Sequence, residues 1–173
     1  RAYHGCYDLE LFDCVIEDNS AISGGGLAVA RRFGTQFNTG ILVSNCLFRA
    51  NFSEKTGGAL TVVASDDLEF RDCWFIGNEN RVNYGCLAHI SGSYDRPKGT
   101  VFRNCLFRRN VSRSGNTVLY YMCDKTYPLS FEFCTFVSNR ADVAVFYPGS
   151  AASAAQCFVK GCVFAEDMER KNQ

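Results

Sequence analysis

Apolar and polar residues alternate in short bursts along this chain, and the bursts recur. Ile41-Leu-Val43-Ser, Leu68-Glu-Phe70-Arg and Leu129-Ser-Phe131-Glu each read with a period of two, the spacing of a strand that buries one face. The alternation runs on through a cysteine and the large apolar residue two places beyond it. A polar stretch follows, and then a second apolar run: Leu27-Ala-Val29, Leu60-Thr-Val62, Leu87-Ala-His-Ile90 or Leu119-Tyr-Tyr-Met122. No segment sustains a 3.6-residue apolar stripe, and none carries a convincing helix start or stop signal. The pattern predicts strands from end to end.

The bursts keep a common phase. Cys14, Cys46, Cys73, Cys105, Cys134 and Cys162 follow one another at 32, 27, 32, 29 and 28 residues. Two places after each stands Ile16, Phe48, Phe75, Phe107, Phe136 or Phe164. Five places after stands Asn19, Asn51, Asn78, Asn110, Asn139 or Asp167, and three places before stands Leu11, Val43, Phe70, Phe102, Phe131 or Val159. A fixed period of this size marks a stacked, quasi-one-dimensional fold. Short strands, a period near 29 and glycines at Gly24-Gly25-Gly26, Gly57-Gly58 and Gly85 predict an all-β fold: one right-handed parallel β-helix of about six coils over residues 1–173. The right hand follows the general preference of parallel crossovers. Successive coils would lie about 4.8 Å apart, so cysteines and aromatic rings stack on the axis while asparagines pass hydrogen bonds along a ladder.

The same residues carry a resemblance. Phe48-Arg-Ala-Asn51, Phe75-Ile-Gly-Asn78, Phe107-Arg-Arg-Asn110 and Phe136-Val-Ser-Asn139 match the FxxN motif of polymorphic outer membrane protein repeats. Gly57-Gly58-Ala59-Leu60 matches their GGA[ILV] motif, and Gly24-Gly-Gly-Leu27 nearly does. Later repeats have lost the double glycine, as at Asp142-Val-Ala-Val145. The resemblance runs from about Leu9 to Asp167 and implies a secreted right-handed β-helix, pectin-lyase-like in shape, acting as a surface adhesin.

Composition narrows the function. Basic and acidic residues balance at 18 each, which gives no reason to expect nucleic acid as a partner. No 18-residue apolar run exists, so this segment is not expected to insert in a membrane. The chain starts at Arg1, and we expect it to be a piece of a longer secreted chain. Ten cysteines in 173 residues hint at an oxidising, extracellular or cell-surface setting. Parallel neighbours hold their Cβ atoms farther apart than a disulfide prefers, which favours stacked free thiols for the six ladder cysteines. Cys6, Cys86, Cys123 and Cys157 break the repeat and are the disulfide candidates. His4 and His89 are isolated and no zinc-type spacing appears, so neither a metal nor any other cofactor is expected.

Three features bear on sites. Asn51-Phe-Ser53 and Asn110-Val-Ser112 are N-glycosylation sequons, yet both asparagines hold ladder positions, which argues against modification. Repeat length varies between the post-glycine strand and the next cysteine strand, so Arg31, Arg32, Phe37, Tyr94, Arg96, Lys98, Tyr127 and Tyr147 are candidates for one loop face. Such a face suits a protein or a glycan on a cell surface, or it is plain surface loop. Asp66-Asp67 with Glu69 and Arg71 is the acidic group a polysaccharide lyase or hydrolase would need, but adjoining coils supply no matching acids. The expectation is therefore non-catalytic: an adhesin rod, or a filament or coat unit whose copies stack end to end. A carbohydrate-active enzyme is the alternative.

Overall fold

A computed structural model describes residues 6–30, 38–63, 65–82, 85, 88–91, 98–113, 117–122, 128–141, 144–148, 157–165 and 168–169. Of these, 30, 88–91, 117–118, 120–122, 144–148 and 168–169 are described by backbone alone. The fold is an all-β parallel solenoid in which successive coils stack their strands into four sheets. The first sheet stacks Glu10–Phe12, Ile41–Ser44, Leu68–Arg71, Thr100–Arg103, Leu129–Glu132 and Cys157–Lys160. The second stacks Val15–Glu17, Leu47–Arg49, Trp74–Ile76, Leu106–Arg108, Thr135–Val137 and Val163–Ala165. The third runs from Ser20–Ser23 through Phe52–Thr56, Glu79–Asn80, Val111–Ser112 and Arg140–Ala141 to Met168–Glu169. The fourth has five strands: Leu27–Ala30, Leu60–Val63, Ala88–Ser91, Thr117–Met122 and Ala144–Pro148.

Register follows the repeat. Phe75 faces Phe48 on one side and Phe107 on the other, and Phe102 lies between Phe70 and Phe131. Rings of the second sheet stack at centroid distances of 4.8 Å for Phe48–Phe75, 5.1 Å for Phe75–Phe107, 4.5 Å for Phe107–Phe136 and 4.8 Å for Phe136–Phe164. A parallel column, Phe70–Phe102–Phe131, meets the first edge to face, as in Phe70–Phe75 at 6.2 Å. Both geometries suit the ring quadrupole. Val43, Leu60, Val62, Leu68, Leu119 and Leu129 complete a fully buried core.

Two sequence expectations change in detail. The alternation through the cysteine is not one strand, because the residue just before each ladder cysteine turns the chain between the first and second sheets. Asp13, Asn45, Asp72, Asn104 and Phe133 have φ of 51–55°, and Gly161 joins them at 61°. Asp18, Ala50, Gly77, Arg109 and Ser138 turn the next corner in the same left-handed conformation. Asp, Asn and Gly enter this region with least strain, and they hold most of these places. The polar stretch after the asparagine is likewise a strand, the third sheet. Its backbone hydrogen bonds to the coils on either side: Phe52 N donates to Asn19 O at 2.8 Å, and Glu79 N donates to Asn51 O at 2.9 Å. Glycine is required where coils crowd at the corner between the third and fourth sheets. A Cβ on Gly25 would sit 2.4 Å from Gly58 O, and Gly57 has φ of 61°.

Candidate functional site

The most developed polar feature of the molecule is the asparagine ladder inside the corner between the second and third sheets. Asn51 Nδ2 donates to Asn78 Oδ1 at 3.0 Å and to Ile16 O at 2.8 Å. Asn78 Nδ2 donates to Asn110 Oδ1 at 3.1 Å and to Phe48 O at 3.0 Å. Asn110 Nδ2 donates to Asn139 Oδ1 at 2.9 Å and to Phe75 O at 3.0 Å. Each Oδ1 also accepts the backbone N–H of the preceding rung's asparagine, at 3.1 Å for Asn51 N to Asn78 and 3.0 Å for Asn78 N to Asn110. Asn51, Asn78, Asn110 and Asn139 are fully buried. An amide with both hydrogens donated and its oxygen doubly accepting meets the burial requirement for polar groups.

The cysteine row lies beside it. Cys46, Cys73, Cys105 and Cys134 are buried free thiols, and Cys14 and Cys162 are half-buried free thiols at the two ends. Each of the four buried Sγ atoms lies between two carbonyl acceptors for its one hydrogen, one in its own coil and one in the preceding coil, as Cys73 does at 3.2 Å from Arg71 O and 3.4 Å from Val43 O. Burial pushes the Cys105 thiol far above its ordinary value and raises Cys46 as well. Of the four expected disulfide candidates, Cys6 and Cys157 are free thiols in the first and last coils. They stand at opposite ends of the stack, which rules out a bridge between them within this chain. Cys86 and Cys123 lie outside the described residues.

The acidic group resolves into bonds between neighbours. Asp66 is buried, and its Oδ1 accepts Gly99 N at 2.7 Å. Asp67 pairs with Lys98 Nζ at 2.6 Å, which raises the Lys98 pKa. Glu69 Oε1 takes Arg71 at 2.8 Å and Arg103 at 2.7 Å, and Arg103 continues to Glu132 at 3.1 Å. Glu17–Arg49 and Glu79–Arg113 are further pairs between adjacent coils. Among the described residues, no group of three or more His, Cys, Asp or Glu is placed to hold a metal ion. No helix there is long and apolar enough to cross a membrane.

Of the loop-face candidates, Lys98 is exposed beside Asp67. Arg31, Arg32, Phe37, Tyr94, Arg96 and Tyr127 lie outside the described residues. Tyr147 was expected in a loop, but its backbone belongs to the strand Ala144–Pro148 and pairs with Tyr120. His89 sits in the strand Ala88–Ser91, and His4 lies outside the described residues.

Sequence reasoning passed over the outer face of the second sheet. Val15, Leu47, Trp74, Leu106, Thr135 and Val163 occupy one outward column in register. Trp74, the sole tryptophan, is 56% exposed. The signal was present: position one after the cysteine has the opposite phase to the buried Phe75.

Comparison with known proteins finds no family model, no curated protein and no solved structure that matches the chain.

Proposed function

We propose that the chain is a non-catalytic rod of an extracellular or cell-surface protein, serving as an adhesin shaft or as a unit of a surface filament or coat. The observation that carries this reading is the direction in which polar side chains are used. The asparagine amides and the ion pairs Glu17–Arg49, Asp67–Lys98 and Glu69–Arg103–Glu132 all run from one coil to the next. Chemistry on a sugar chain by the usual route asks for two carboxyls facing one another across a bound ring. Asp66, Asp67 and Glu69 are instead committed to Gly99, Lys98 and two arginines, which speaks for the rod over a lyase or hydrolase.

The FxxN and GGA[ILV] cassettes support surface placement, since the repeats they resemble belong to secreted adhesins. Partners of two kinds suit such a rod: a protein or glycan on a cell surface held by the loop face, and neighbouring copies stacked end to end. In the outermost described strands Val159 and Phe164 keep the inward phase of Phe131 and Phe136, so a further coil added in register would pack on them as the interior coils pack on one another. Electron microscopy of the purified chain over a concentration series tests the stacking, with Val159→Arg as the end-blocking variant. Strings that shorten in the variant are expected. Single rods at every concentration, together with no binding to a glycan panel or to cells, would remove both partner classes, and turnover of a polysaccharide would replace the reading with the enzyme.

A further inference from the structure

We infer that Asn51 and Asn110 are sites at which N-glycosylation and folding exclude one another, so that this rod forms only from chains left unmodified there. Both head N-x-S sequons, Asn51-Phe-Ser53 and Asn110-Val-Ser112. Modification joins the side-chain amide nitrogen to the anomeric carbon of a sugar, taken from a lipid-pyrophosphate-linked oligosaccharide. The C–N bond replaces one N–H, the amide gives up a proton, and the lipid pyrophosphate departs. The folded rod has no N–H to give. At Asn51 one hydrogen goes to Ile16 O and the other to Asn78 Oδ1; at Asn110 they go to Phe75 O and Asn139 Oδ1. Both side chains are fully buried, and the neighbouring rungs lie about 4.8 Å away on either side, too near to admit a sugar ring between them.

The third sequon residue is hidden as well. Ser53 and Ser112 point inward and are buried, so a transferase cannot read the motif once the coils have closed. Their hydroxyl oxygens have no partner. Ala21 pairs with Ser53 in the same inward column, so the fold accepts alanine at this phase. Ser53→Ala with Ser112→Ala therefore erases both sequons while leaving the asparagine ladder intact.

The inference deepens the proposed surface location, because an exported rod must travel by a route that spares these two residues. Its test reads glycan and folding, not adhesion, and so stands or falls separately. The full chain is translated in a cell-free system and offered to microsomal membranes charged with lipid-linked oligosaccharide, either during translocation or after folding. Glycan is read as an endoglycosidase-sensitive mass shift and folding as protease resistance. The expected result is modification during translocation only, with every glycan-bearing chain protease-sensitive and every glycan-free chain resistant. The S53A/S112A chain should be wholly glycan-free and resistant in both orders. A glycan-bearing chain that resists protease, transfer onto the folded chain, or no transfer in either order would each overturn the inference.

Discussion

Interior coils and end coils carry the same cassette, yet the cassette means different things in the two places. Phe107 and Phe131 have coils above and below and are fully buried. Phe164 and Val159 occupy the equivalent phases in the last coil, and about half of each remains exposed. The asparagines differ similarly. Asn78 donates to Asn110 Oδ1 and to Phe48 O in the coil before it, whereas Asn19 turns its second hydrogen to Glu17 O within its own coil. Burial here is a property of having two neighbours and not of the residue itself, which is how a quasi-one-dimensional fold distributes its stability.

That contrast can be broken most forcefully at the aromatic column. Phe107→Asp leaves a lone carboxylate among stacked rings and is expected to abolish folding, since the penalty of several kcal/mol rivals a typical total of about 5–15 kcal/mol. Phe164→Asp should leave a folded chain, and circular dichroism melts of the two would show a lost transition against a shifted one. Next comes the ladder. Asn78→Ala removes the acceptor of Asn51 N and Nδ2 and the donor to Phe48 O and Asn110, and is expected to cost about 3 kcal/mol or more in urea unfolding. Asn19→Ala should cost under about 1 kcal/mol, because water reaches that end. Equal losses would mean that the ladder does not act through its neighbours.

Smaller effects sharpen the picture. Phe133 turns a corner with φ of 55° while exposed to solvent. Phe133→Asn should raise stability by about 1 kcal/mol by relieving that strain, less whatever the ring gains from Lys160 Nζ at 5.7 Å. Burial raises the Cys157 thiol to about 11 from an ordinary 9.0. The folded chain therefore keeps a proton that the unfolded chain releases, and stability held below pH 9 declines as pH rises towards 11. The Cys157→Ala chain should show a shallower fall in melting temperature over that window. Smallest of all, Arg108→Ala on the exposed face should change stability by less than about 0.5 kcal/mol.

The repeat made much of the fold legible, because three stacked rows leave three copies of one signal. The cysteine, aromatic and asparagine rows face the axis as their spacing implied. The corners were harder to read. A left-handed residue every five positions, as at Asp8, Asp13 and Asp18, leaves only a preference for Asp, Asn and Gly, and Arg109 and Phe133 ignore it because stacked neighbours hold the backbone in place. The third sheet hid for a related reason. Ser-Glu-Lys in Phe52–Thr56 has little intrinsic strand preference, and its ladder of hydrogen bonds comes entirely from other coils. For the candidate site, sequence placed the ladder residues and could not tell that Asp66, Asp67 and Glu69 would each be claimed by a neighbour. Variation in repeat length also put Tyr147 on the loop face, although strand pairing with Tyr120 prevails there.

Each interior asparagine donates to the coil after it and accepts from the coil before it, so a duplicated stretch of some thirty residues could be spliced between two coils and find its contacts ready on both sides. Each such insertion would lengthen the molecule by about 4.8 Å without asking any existing residue to change. Reach, in such an architecture, is the trait that gene duplication adjusts most readily.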